Sequence, residues 1–329
     1  MEERLKVKEV FLDFVNILEK NDIEHFDDLL TEDVTLESTN YGYASGLKNV
    51  KEKLKWDGLP INFSRSRIFN FVAFTKNNIA KQSAVVTTLV GQNDKDYFHY
   101  FHFSGYFLND FIQVNEKWKI NKVKFNLDME DGNTLFVKGW WKLIDYRFFE
   151  GAYPYPIVSE MEAPWRAIKD PDSLGTEEEQ VLDSYYRYCW GIDHADMGIL
   201  LSCLDDYIEF DKRAINLPLD PNPDSNFVSA LEIVKIMKFK RFKEPVMEHI
   251  FKIKDINIKD DRATLVTYRY EPHRLGTKKF NKLNMHEDFY SGICEYEFVK
   301  RDNGWKMCKN LPRQLGVFSE VTYDKNKFY

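Results

Sequence analysis

An internal repeat constrains this chain more than any other feature: six landmarks occur twice, in the same order, along its 329 residues. Each copy opens on an amphipathic helix, with Val7, Val10, Phe11, Phe14, Val15 and Leu18 at helical spacing in the first and Val181, Tyr185, Tyr188 and Ile192 in the second. A short helix then runs through an acidic turn into a strand, at Asp33-Val34 and again at Asp206-Tyr207. Ser45-Gly46-Leu47 matches Ser229-Ala230-Leu231 at the start of a further helix, after which both copies turn to strand patterns. There Ile79-Ala80 matches Arg262-Ala263, Ser104-Gly105 matches Ser291-Gly292, and Lys117-Trp118-Lys119-Ile120 matches Gly304-Trp305-Lys306-Met307. The spacing changes where the second copy carries a Pro-rich insertion near Leu217 to Pro223, a change that a loop absorbs at little cost. Ordered agreement of this kind predicts one module folded twice.

Between the copies, Pro154, Pro156, Pro164 and Pro171 interrupt regular structure. The sequence is therefore divided into a first module over 1–150, a linker over 151–175, a second module over 176–315 and a tail over 316–329. With 43% hydrophobic residues, 26 Phe and 18 Tyr, there is enough apolar material for two cores. The net charge of -7 provides no basic field for a phosphate backbone, so a nucleic-acid partner is not expected. The N-terminus mixes charged and apolar residues and no apolar run reaches membrane-spanning length, which predicts a soluble, cytoplasmic chain without membrane contact. Cys189, Cys203, Cys294 and Cys308 lack metal-ligand spacing and read as buried reduced thiols. No metal and no organic cofactor is called for.

The order helix, helix, strand, helix and then long antiparallel strands ending on a Trp-Lys pair resembles the SnoaL-like branch of the nuclear-transport-factor-2-like superfamily. The resemblance spans about Val7 to Phe125 and Glu177 to Leu311. It implies an α+β fold class: two tandem cone-shaped α+β barrels, each a bent, mostly antiparallel sheet wrapped around N-terminal helices, with an apolar pocket at the open end. It also implies little about function, because this fold hosts dehydratases, isomerases, polyketide cyclases, non-catalytic subunits and carriers.

In the second copy the first helix ends Tyr188-Cys189-Trp190-Gly191-Ile192-Asp193-His194-Ala195-Asp196. This stretch is similar to the one that carries the acidic catalytic residue in SnoaL-like enzymes of the bile acid 7α-dehydratase and scytalone dehydratase type, with Asp193 in its place and Tyr188 and His249 at matching positions. His249 precedes Ile250-Phe251-Lys252-Ile253, and strand alternation places it on the face of Phe251 and Ile253. Imidazole titrates near neutrality, which suits removal of a carbon-bound proton, so the resemblance implies His249 as base, Asp193 as its orienting carboxylate and Tyr188 as acid or oxyanion donor. Five residues subtend about 140° on a helix, so Tyr188 and Asp193 are expected to share a site only if the helix ends between them, at Gly191. Trp190, Tyr207, Phe210 and Phe289 are the expected aromatic walls of a substrate pocket.

Plainer readings apply to the same residues. Asp193 or Asp196 can cap the helix beginning near Met197, His249 can be a satisfied core histidine, and His194 competes as base. His273 and His286 fall between strands, while His99 and His102 lie three apart on one strand and so on opposite faces. Projection onto the first copy sets Glu19, Lys20 or Asn21 against Asp193 and Ser66 or a neighbour against His249, so the dyad is expected in the second module alone. The favoured reading is a cofactor-independent, dehydratase-like lyase acting on a hydrophobic cyclic hydroxylated small molecule. A ketosteroid-isomerase or polyketide-cyclase-like isomerase and a non-catalytic binding or scaffold protein are the alternatives. The first module is expected to act as the second's partner in an intramolecular pseudo-dimer, with room for a homo-oligomer.

Overall fold

A computed structural model describes residues 2–93, 98–137, 157, 159–210, 227–241, 248–272 and 289–318. The chain divides into two compact units, Met1–Thr176 and Glu177–Tyr329.

In the first unit α1 (Glu2–Lys20) is followed by α2 (Phe26–Leu29), β1 (Leu30–Ser38), β2 (Gly42–Ser45) and α3 (Leu47–Leu54). Four long strands complete it: β3 (Phe63–Lys76), β4 (Ile79–Asn93), β5 (Phe98–Val114) and β6 (Lys117–Gly132). The sheet order is β2-β1-β6-β5-β4-β3, antiparallel except where β1 runs parallel to β6. The apolar stripe of α1 is what the sheet covers: Val7, Phe11 and Phe14 are fully buried. Phe14 meets Phe107 of β5 edge-on, with ring centroids 5.7 Å apart, and Phe107 packs on Phe125 of β6 at 4.4 Å.

The described part of 151–175 packs on this first unit. Two short helices, α4 (Ser159–Glu162) and α5 (Pro164–Ala167), bury Ile157, Ala163 and Ile168, and Glu162 pairs with Lys124. Asp172 extends the attachment, donating its N–H to Thr75 O at 2.9 Å and accepting from Asn77 N at 2.8 Å.

The second unit repeats the plan with α6 (Glu177–Asp193), α7 (Met197–Cys203), β7 (Leu204–Phe210), β8 (Phe227–Ser229) and α8 (Ala230–Arg241). Its long strands are β9 (Ile250–Lys259), β10 (Arg262–Pro272), β11 (Phe289–Arg301) and β12 (Gly304–Phe318), in the order β8-β7-β12-β11-β10-β9. Among the described residues the only parallel pair is again the first strand on the last, β7 on β12. Both units are thus α+β with a six-stranded mixed sheet packed around N-terminal helices. The repeated landmarks fall on equivalent elements, and the Trp of each Trp-Lys pair, Trp118 and Trp305, is 4% exposed. Among the described residues, no helix is long and apolar enough to cross a membrane.

Candidate active site

The amphipathic stripe of α6 points Tyr185, Tyr188 and Ile192 into the core of the second unit, against Phe251, Leu265 and Tyr296 of the sheet. Asp193 closes the helix and meets His249, the residue before β9. Its Oδ2 accepts the backbone N–H of His249 at 3.0 Å, and its Oδ1 is hydrogen-bonded to His249 Nδ1. Both side chains are 1% exposed. With Asp193 ionised and the imidazole neutral, Nδ1 would carry the ring hydrogen and Nε2 the lone pair, because a carboxylate only accepts. Tyr188 stands beside the imidazole, ring centroids 5.6 Å apart and nearly perpendicular.

The helix does not end at Gly191. It runs unbroken to Asp193, and the imidazole touches both Tyr188 and Asp193 because its ring spans the angle between them. Gly191 serves packing instead: a Cβ there would lie 2.7 Å from Leu200 Cβ and 2.8 Å from Leu200 Cα and N, so glycine permits α6 and α7 to approach.

Two polar groups missed in the sequence complete the surroundings. Asn310 Nδ2 donates to the Tyr188 hydroxyl at 2.9 Å. Alternation from buried Met307 would turn Asn310 outward, but the register shifts between Met307 and Lys309, and this extra residue on β12 returns Asn310 to the inner face opposite Tyr296. Tyr296 in turn accepts from the Tyr185 hydroxyl at 3.1 Å. Burial holds both phenols well above the usual tyrosine value, so they are neutral donors at any physiological pH.

The other candidates separate. Asp196 caps α7, accepting from Ile199 N at 3.0 Å, whereas Asp193 makes the contacts to His249 described above. His194 is half-buried and packs on Trp190, centroids 4.2 Å apart. Trp190 is buried against that ring, and Phe210 is buried in the same cluster as Tyr188. Tyr207 does not join them: β7 turns Ile208 and Phe210 inward, and Tyr207 is 67% exposed. It lines a cleft of about 760 Å³ with Asp205, Leu231 and Arg301 that neither Asp193 nor His249 borders. Phe289 opens β11 with its side chain outside the described residues, and His273 and His286 fall outside them altogether. In the first unit, His99 is exposed and His102 Nε2 is 2.8 Å from Thr87 Oγ1. Among the described residues, no group of three or more His, Cys, Asp or Glu side chains is disposed to hold a metal ion.

The first unit carries half of the dyad's geometry. Glu19, in the last turn of α1, accepts the backbone N–H of Ser66 through Oε2, as Asp193 accepts that of His249. Ser66 Oγ pairs instead with Thr88 Oγ1 at 3.0 Å.

The second unit is thus an α+β module whose six-stranded sheet packs on helices, with a buried carboxylate–imidazole pair, Asp193 and His249, where α6 ends. Residues 176–310 match the family described as SnoaL-like domain. Among solved structures, a putative scytalone dehydratase from Novosphingobium aromaticivorans is similar at 17% identity, covering 39% of this chain and 85% of that one, with a TM-score of 0.34. A type 2 hexachlorocyclohexane dehydrochlorinase is similar at 10% identity over 39% of this chain and 87% of its own, TM-score 0.34. A nuclear-transport-factor-2-like protein from Salmonella enterica matches at 13% identity over 37% and 87%, TM-score 0.32. No curated protein matches the chain.

Proposed function

We propose that the second module is a cofactor-independent lyase of the dehydratase type, acting on a hydrophobic, cyclic, hydroxylated small molecule. The observation that carries this reading is the imidazole of His249 fixed by Asp193 with the Tyr188 phenol at its side. His249 Nε2 takes a proton from the carbon next to the one bearing the hydroxyl, and Asp193 stabilises the imidazolium that forms. Tyr188, its oxygen positioned by Asn310, gives its proton to the departing hydroxyl, and water leaves as the double bond forms. The imidazolium then returns the abstracted proton to the tyrosinate.

The test is incubation of the full chain with steroid-like and polyketide-like alcohols, followed by mass spectrometry for water loss or double-bond migration. Loss of His249 as base is expected to lower turnover by about 10²- to 10⁴-fold in His249→Ala. Equal turnover by that variant would remove the base assignment, and double-bond migration without water loss would favour the isomerase.

A second reading, non-catalytic ligand binding, draws on the 1% exposure of the dyad and on the shared backbone contact of Glu19 and Asp193. Saturable binding of the same alcohols without any product would favour it.

A further inference from the structure

In the second unit both oxygens of Asp193 are engaged by His249, one by its backbone N–H and one by its ring. In the first unit Ser66 supplies the backbone N–H but no ring, so the other oxygen of Glu19 has no imidazole to receive. Glu19 instead lines a cleft of about 580 Å³, together with Asn21, Trp56, Leu59, Pro60 and Phe63.

The wall of this cleft is pinned on both sides. Asn21 accepts from Trp56 N at 2.8 Å and donates to Trp56 O at 3.0 Å. Gly58 N and Leu59 N donate to Phe136 O and Leu135 O at 3.1 and 2.9 Å, and a Cβ on Gly58 would fall 1.9 Å from Leu135 O. A segment held so closely presents a formed concavity to solvent.

Its electrostatics favour a cation. The C-terminal end of the 19-residue α1 points its carbonyls toward this region, adding partial negative charge to the Glu19 carboxylate. Asp57 is a second carboxylate in the lining, and among the described lining residues Lys20 is the one cation, exposed at the rim.

We propose that the cleft of the first module binds an organic ammonium compound, its N–H on the Glu19 oxygen that an imidazole occupies in the second module, its apolar body against Leu59, Pro60 and Phe63. The site is independent of any chemistry at His249.

The test uses dansylcadaverine, which carries a primary ammonium on a pentyl arm, against N-pentyl dansylamide, which has the same arm without it. Titrated into the full chain at pH 7 and followed by dansyl emission, the ammonium probe is expected to bind at least about tenfold more tightly, the worth of one charge-assisted hydrogen bond. Glu19→Gln retains an oxygen for Ser66 N and is expected to bring the two probes to equal affinity, while His249→Ala leaves the preference intact. Equal affinities in the wild type, or a preference undiminished in Glu19→Gln, would overturn the proposal. If that variant loses its circular-dichroism spectrum, carbodiimide coupling of dansylcadaverine to the wild-type chain decides: a label on Glu19 supports the site, and labels confined to other carboxylates refute it.

Discussion

Asp193 binds His249 twice, holding the backbone N–H with one carboxylate oxygen and the ring nitrogen with the other. A single side chain therefore holds both the backbone and the ring of His249. In Asp193→Asn one oxygen becomes an amide that donates: facing the backbone it leaves that N–H without an acceptor, and facing the ring it forces the imidazole into the other tautomer or leaves Nδ1–H unpaired. We expect a folded protein less stable by about 1–3 kcal/mol, the cost of a buried group left unpaired. Urea unfolding measures this. An unchanged midpoint would show that the carboxylate contributes nothing to holding the buried imidazole.

The backbone half of this arrangement is duplicated, because Glu19 does the same for Ser66. Glu19→Ala should cost about 1–2 kcal/mol by orphaning one partly buried N–H. Asp193→Ala should cost more, since it strands the imidazole as well, and the difference between the two variants estimates the share of the ring contact. Equal losses would place the whole value of Asp193 on the backbone.

These two carboxylates also show what was legible beforehand. Helical periodicity and repeated dipeptides are local signals, so the elements, the duplication and the inward face of His249 could be read directly. The pairing of Asp193 with His249, 56 residues apart, was reachable only through family resemblance. Asn310 was hidden because the irregularity at Cys308 reverses the strand phase, and a one-residue slip exchanges inside for outside. Tyr207 was misplaced for a related reason: in a strand as short as β7, an aromatic type carries no statement of which face it takes. Gly191 looked like a helix end because local rules treat glycine as a breaker, whereas its cause is the neighbouring helix.

Gly191→Ala discriminates these two explanations. In an unconstrained helix the change would stabilise by about 0.5–1 kcal/mol. With Leu200 backbone atoms 2.8 Å from the new methyl, α6 and α7 must part, and we expect a net loss of about 1–3 kcal/mol. Thermal unfolding gives the sign, and a raised midpoint would return Gly191 to the role of a helix breaker.

Burial governs the titration of the second core. It pushes the Cys203 thiol up to about 12, and burial together with the Asp193 charge holds Cys189 well above the usual thiol range. Cys308, half-buried, is raised by burial as well. Thiolate is the reactive form, so iodoacetamide at pH 8 should label the native protein far more slowly than the urea-unfolded chain, where four cysteines react. The same shifts set an alkaline limit. Thiols titrate at about 8.5 and phenols at about 10 in the unfolded chain, whereas folded Cys189, Cys203, Tyr185 and Tyr296 keep their protons higher. Above about pH 8.5 the unfolded state therefore binds fewer protons than the native one, and stability falls with rising pH. Urea midpoints at pH 7.5, 9 and 10.5 should decline in that order, and a flat series would mean that these groups are solvated in the folded protein.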